Sequence, residues 1–253
     1  MDKTRLLLGK PIPFSEGFEV KQPTVEEITM MGEGKFDNYV APFILTIDAL
    51  FENEDEAKKI KSEFTLFQLF FHKIDDTKHL LDSVFGGRNA LEFIREVLAF
   101  FLDIDESAIT ILANRKKFAI SDNGRELVID DLAFNKLREI VQKIVSREDV
   151  EVERPPKDMT ERQKDIWVKL QAGRKRREKR DAMVMADIIN IVWMGGRAYI
   201  PLNEVMSMTY FQLRKAYGNI ISRDNFDLSM GYKLSQKFDV KDDVKHWAKE
   251  FKV

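Results

Sequence analysis

The chain has 253 residues, 44% of them hydrophobic and 33% charged, with 41 basic residues against 43 acidic ones for a formal net charge of −2. That is enough apolar chain for one large domain or two modest ones, and the balanced charge excludes a general field towards phosphate backbones or anionic membranes. With no cysteine, a disulfide framework, thiol catalysis and every cysteine-ligated metal site are excluded, and a reducing, intracellular compartment fits.

Residues 1–20 carry "RLLLGKPIPF" and "GFEVKQP", two short apolar or alternating runs divided by Gly, Pro and Ser, which predict two strands and a turn. The three consecutive leucines are too few for the apolar core of a signal peptide, and no later run approaches the roughly 20 apolar residues of a membrane span. In "PTVEEI", Thr24 and Glu27 form a capping box that starts a helix. From Phe36 to about Leu102 the pattern is helical. Ile60, Phe64, Phe67 and Phe71 recur at spacings of three and four, as one face of an amphipathic helix requires, and the Phe-rich face is the expected core. "AITILANRKKFAISDNGRELVID" reads as short strands with an Asn123–Gly124 turn, and a helix from Asp131 to Val145 closes the unit.

Residues 147–158, "REDVEVERPPKD", mix charge with Pro155 and Pro156 and lack an apolar face, so they read as a linker. Thr160 and Gln163 then make a second capping box. The apolar pattern stops from Gln171 to Ala182 and resumes at "MVMADIINIVWM", which predicts one long helix exposed in its middle third. Gly195 and Gly196 end it. Thr209 and Gln212 form a third capping box, with Met208 and Leu213 as its hydrophobic staple, and Tyr210, Leu213, Tyr217, Ile220 and Ile221 share one face of the helix that follows. The expected fold class is α+β and mostly α: an N-terminal mixed domain over 1–146 with short β-hairpins and a helical core, the linker 147–158, and a smaller helical C-terminal domain over 159–253 containing a charged helix.

Clusters able to carry catalysis are weak. There is no "GxxxxGK" loop and no "GxGxxG" after a strand. "GEG" at 32–34, Gly86–Gly87 and Gly195–Gly196 stand where helices should end. His72, Asp75 and His79 have the spacing i, i+3, i+7, but "DDTKHLL" looks like a fresh helix start that would split them, and no further ligand stands nearby. His246 precedes Trp247 in a charged C-terminal helix, and the paired acids Asp103/Asp105, Asp130/Asp131 and Asp242/Asp243 read as helix-start residues that favour the dipole. Neither a catalytic, a cofactor nor a metal site is expected, and the chain reads as no enzyme.

The strongest local signal is "AGRKRREKRDA", where six of the seven residues from Arg174 to Arg180 are Lys or Arg. It has three readings: nucleic-acid binding, a solvated helical spacer, or an electrostatic contact with an acidic protein. Interleaved aromatics for base stacking and a surrounding basic domain are lacking, which disfavours nucleic acid.

The C-terminal segments "ERQKDIWVKLQAGRKRREKR", "ADIINIVW" and "MSMTYFQLRKAY" resemble the tail assembly chaperones of long-tailed (siphovirus-type) phages that infect Gram-positive bacteria. The residues that carry the resemblance are Thr209, Tyr210, Phe211, Gln212, Leu213 and the terminal Trp247. "LLLGKPIPF" with "PTVEEI" is similar to the opening of proteins encoded just before the tape measure in such phages. The resemblance implies binding without chemistry: a chaperone that holds the tape measure protein while tail tube subunits assemble around it. Such a protein acts in the cytoplasm of the infected bacterial host and is absent from the mature virion. The implied partners are the tape measure protein and the tail tube protein, with self-association open and no membrane. The candidate partner-binding residues are Arg174, Lys175, Arg176, Arg177 and Arg180 of the basic run, with Trp193, Met206, Met208, Tyr210, Phe211 and Tyr217 as groove-lining side chains. The rival readings are a structural head-to-tail or minor tail protein, and a nucleic-acid adaptor that uses residues 174–180.

Overall fold

The computed structural model describes residues 3–15, 17–51, 53–75, 78–156, 158–235, 237, 246 and 247; for residues 175 and 178–181 it describes the backbone alone. The chain is α+β and mostly α, with one two-stranded and one three-stranded antiparallel sheet. In order along it run α1 (Lys3–Leu7), β1 (Ile12–Ser15), β2 (Phe18–Val20), α2 (Val25–Met31), α3 (Glu33–Ile44), α4 (Ile47–Leu50), α5 (Glu54–Glu63), α6 (Leu66–Phe70) and α7 (Ala90–Leu102). Then come β3 (Ile109–Leu112), β4 (Lys117–Asp122), β5 (Arg125–Ile129), α8 (Asp131–Val145), α9 (Glu161–Asp181), α10 (Met185–Met194), α11 (Leu202–Ser207) and α12 (Tyr210–Leu234).

Phenylalanines build the core. Phe43, Phe67, Phe70, Phe101, Phe118 and Phe134 are all fully buried. Phe134 of α8 sits 5.0 Å from Phe67 and 5.6 Å from both Phe43 and Phe70, in tilted, stacked and edge-on geometries. Such ring pairs gain energy beyond their buried area. The three-stranded sheet lies against this cluster: Phe118 pairs with Ile129 and Ile120 with Leu127 across β4 and β5, so the buried side chains alternate as period 2 requires. Asn123 and Gly124 make the tight turn between these strands with φ of 50° and 76°, the positive values that two-residue hairpins need.

Five sequence expectations need correction. Among the described residues of "DDTKHLL" no helix starts: Lys73 and His79 form an isolated antiparallel bridge, and turns follow it up to α7. "RLLL" is helical rather than a strand: its leucines do not alternate, and a single turn buries Leu6 alone while Leu7 and Leu8 stay exposed. Gln22 fixes that turn by donating to the backbone carbonyls of Arg5 and Lys10. The helix expected through Ile60, Phe64, Phe67 and Phe71 breaks at Phe64, because Thr65 and Gln68 form a capping box inside the apolar run and Thr65 donates to Asp131 at 2.6 Å. Asp103 does not start a helix; it ends α7 in the left-handed conformation, a shape that Asp tolerates through its short polar side chain. The long helix expected beyond Thr160 divides into α9 and α10 at residues 182–184, where Asp187 accepts from the Val184 N–H and Glu33 accepts from the Met185 N–H. Asp242 and Asp243 lie outside the described residues.

The segment 147–158 runs, as far as Arg154, along the preceding elements. The Val150 N–H donates to Ile44 O, Arg138 reaches Asp149, and Arg154 donates to Phe51 O. Beyond it, the buried residues of α10, α11 and α12 belong to the same continuous apolar cluster as the phenylalanines. The joint is built from two helix starts placed back to back. Val25 N–H donates to Met208 O and Tyr210 N–H to Pro23 O, both at 2.8 Å, so the capping boxes at Thr24 and Thr209 are bridged by antiparallel backbone. Gln212 also donates to Leu7 O, and Gly9, with φ of 66°, brings α1 close to the Thr209 methyl.

Candidate partner-binding surface

Helix α9 starts on the capping box of Thr160 and Gln163 and runs for 21 residues. Among its described side chains none is buried. Ile166, Val168 and Leu170 are 50%, 56% and 62% exposed, although each could have stabilised the fold by burial. At about 100° per residue, Ile166 and Leu170 fall on one side of the helix while Trp167 and Val168 point elsewhere, so no single stripe can lie against a core. Among the described residues, the ties that hold α9 to the body run to one carboxylate: Arg174 lies 3.6 Å from Glu153, and Gln171 donates to the same residue. Both ends of that ion pair are about two-thirds exposed, so solvent and salt screen it and its contribution is small.

Arg174, Arg176 and Arg177 therefore stand in solvent on the second half of α9. Lys175 and Arg180 follow the same helical backbone, and their side chains lie outside the described residues. Of the residues expected to line a groove, Phe211 lines a hollow with Lys215, and the others lie elsewhere on α10, α11 and α12 or in the joint. Tyr210 and Phe211 are buried where α12 meets the rest of the fold, with the Tyr210 ring 5.3 Å from Phe36 and its hydroxyl 3.4 Å from Arg147. Met206 and Met208 are half-buried against the same cluster. Trp193 is half-buried on α10, with its ring N–H enclosed and unbonded. Tyr217 donates to the sulfur of Met183 at 3.0 Å.

The polar clusters elsewhere serve structure. His79 is buried beside Asn89, Asp82 accepts from the backbone of His79 and Ala90, and His72 packs edge-on against Phe64. Among the described residues, no group of three or more His, Cys, Asp or Glu side chains can hold a metal, and no helix is long and apolar enough to cross a membrane. Glu96, largely covered, receives Tyr39, Arg88 and Lys35. Partial burial pushes its carboxyl up, and those three donors more than reverse the effect, holding it below the ordinary glutamate range. Burial and the Glu96 carboxylate together push the Tyr39 phenol far up, so both groups are locked in their ordinary charge states.

Sequence reasoning located the basic run but missed the exposed apolar half of the same helix. The signal was available: "IWVKL" places four apolar residues within five positions, more than one face of a helix can bury.

Residues 175–252 are similar to a family model described as the YomV second domain, a match that points to a phage-derived protein family. The matched region begins inside α9, within the basic run, and takes in α10, α11 and α12. No curated protein and no solved structure matches the chain.

Proposed function

We propose that this protein is a phage tail assembly chaperone, a binding protein without catalytic chemistry that holds the tape measure protein while tail tube subunits assemble around it. The observation that carries this reading is α9: a 21-residue helix that exposes Ile166, Val168 and Leu170 beside an arginine-rich half and fully buries none of its described side chains. An exposed helix with an apolar portion and a cationic portion suits a partner that offers apolar helical surface and acidic side chains. The phage association of the C-terminal region supports the setting. The surface that carries this reading is α9 rather than the aromatic and methionine side chains, of which Tyr210 packs on Phe36 in the joint. The site of action is the cytoplasm of the infected host, and the protein is lost before the virion matures.

The test is co-expression with the tape measure protein of the same phage. Reversal of Arg176, Arg177 and Arg180 to Glu should reduce co-purification at low salt. At about 0.5 M salt, wild type and variant should converge as screening shortens to a few ångström. The same preparation separates the rival structural reading, in which the chain persists in purified particles. Tight, salt-sensitive retention of an oligonucleotide by wild type, abolished by the three reversals, would instead assign α9 to nucleic acid.

A further inference from the structure

A second charged surface lies well outside the basic run. The outer face of α8 carries Lys136, Glu139 and Lys143 at spacing i, i+3, i+7, which places them on one side of the helix. Two hollows meet there and share Glu139 and Lys143. One, of about 560 Å³, opens between α8 and the chain around Arg5, Ile12 and Pro13. The other, of about 710 Å³, continues past the end of α8 to α12, where Phe211 and Lys215 close it. Together they form one cleft across α8 between α1, β1 and α12. Its floor is apolar, made by Leu6, Ile12, Ile140 and Phe211, all buried. Its rim is mixed with a basic excess: Lys3, Arg5, Lys136, Lys143, Arg147 and Lys215 stand against Glu139 and Glu148.

The charge on that rim is not used up by the fold. Arg5 is spoken for by Glu19 and Arg147 by Asp37, while Lys136 donates to Phe14 O. Lys3, Lys143 and Lys215 make no ion pair among the described residues, and Lys215 merely overlies the Phe211 ring at 5.4 Å. Lys143 lies near the C-terminal end of α8, where a cation is favoured by the dipole. Lys3 and Lys215 come from other elements and have no such reason to be there. Three elements distant in sequence thus bring ammonium groups without a direct ion pair, in excess over Glu139 and Glu148, to the edge of an apolar floor, the arrangement expected where a negatively charged, partly apolar ligand is received.

We propose that this cleft is a docking site for an acidic, extended peptide segment of a partner protein, with its carboxylates on Lys3, Lys143 and Lys215 and its apolar side chains on the floor over Ile140 and Phe211. Charge complementarity selects the occupant, and Glu139 decides between polymers. It stands at the centre of the cleft, where a nucleic-acid strand would bring a phosphate against it; a peptide brings backbone N–H donors that a carboxylate accepts. Phe211 is buried in the floor, so no ring is presented for stacking on a base. This site is independent of the α9 reading, and either can fail without the other.

The experiment uses the full chain and a labelled soluble peptide of repeating Glu-Leu-Glu-Gly, with its Lys-for-Glu counterpart and a single-stranded oligonucleotide as comparisons, read by fluorescence anisotropy at low salt. Lys143→Glu with Lys215→Glu should weaken the acidic peptide on the order of tenfold. Glu139→Lys should tighten it, a gain that damage to the fold cannot mimic. Lys59→Glu, exposed on α5 and outside the cleft, should leave it unchanged, which separates this site from surface charge in general. Absence of binding by wild type, unchanged affinity in the folded Lys143/Lys215 variant, an equal loss in the Lys59 variant, or preference for the oligonucleotide would each overturn the proposal.

Discussion

Helices α9 and α12 begin with the same device and meet opposite fates. Each starts at a threonine whose hydroxyl accepts from the backbone of a glutamine three residues on, while that glutamine reaches back to the threonine N–H. In α12 the cap is 4% exposed, its glutamine reaches Leu7, and Tyr210, Phe211, Leu213 and Ile220 bury one face. In α9 the cap is exposed and so are Ile166, Val168 and Leu170. A capping box fixes where a helix starts; the angular spread of its apolar residues fixes whether it is held. α12 concentrates them on one side, whereas α9 scatters four in five positions and then turns basic.

The sharpest way to break this comparison is to remove a leucine from each helix. Leu213 is fully buried, so Leu213→Ala should cost about 3 kcal/mol in urea unfolding, from lost transfer energy and the cavity left behind. Leu170→Ala should stay within about 0.5 kcal/mol. A large cost at Leu170 would mean that α9 is covered in solution, by another copy of the chain above all, and a monomer–dimer measurement would then follow.

The next step compares the caps. Thr209→Ala removes a buried cap that also lies in the bridge to Thr24, and should destabilise the whole fold by about 1–2 kcal/mol. Thr160→Ala should fray the start of α9, visible in amide exchange there, with no shift of the global midpoint. Equal effects would show that α9 unfolds together with the core.

Glu33→Gln probes how α10 is held where α9 lets go. The Glu33 carboxylate accepts from Met185 N–H at 3.1 Å from both oxygens, at the first residue of α10. Replacing a charged acceptor with an amide weakens a charge-assisted bond at a helix N-terminus, and a loss of about 0.5–1 kcal/mol is expected. No loss would place the stability of α10 entirely in its packing on α12.

These contacts mark what could be read in the sequence. Capping boxes at Thr24, Thr160 and Thr209 and the Asn123–Gly124 turn were legible because each is a local exchange of hydrogen bonds among a few neighbours. The box at Thr65 and Gln68 has the same form, but it lies within a run whose phenylalanines match helical spacing, and that periodicity masks it. Partners far apart along the chain were not legible: the pairing of Pro23 and Val25 with Tyr210 and Met208, or the reach of Glu33 to Met185, leaves no periodic trace. For the same reason the part of Tyr210 in the joint and the gathering of lysines around α8 from separate elements are not legible in the sequence.

The smallest effect on stability is expected from the most conspicuous stretch of sequence. Arg176 and Arg177 are exposed and make no ion pair among the described residues. They lie in the last turns of α9, where cations favour the helix dipole, so Arg176→Glu with Arg177→Glu should shorten that helix and lower the helical circular dichroism slightly. The thermal midpoint should stay where it was, because exposed charges contribute little and α9 transmits almost nothing to the core. A fall in midpoint together with the loss of helicity would show that the basic half of α9 is part of the cooperative fold. A midpoint that holds while helicity falls would leave it as a helix held in readiness for something outside this chain.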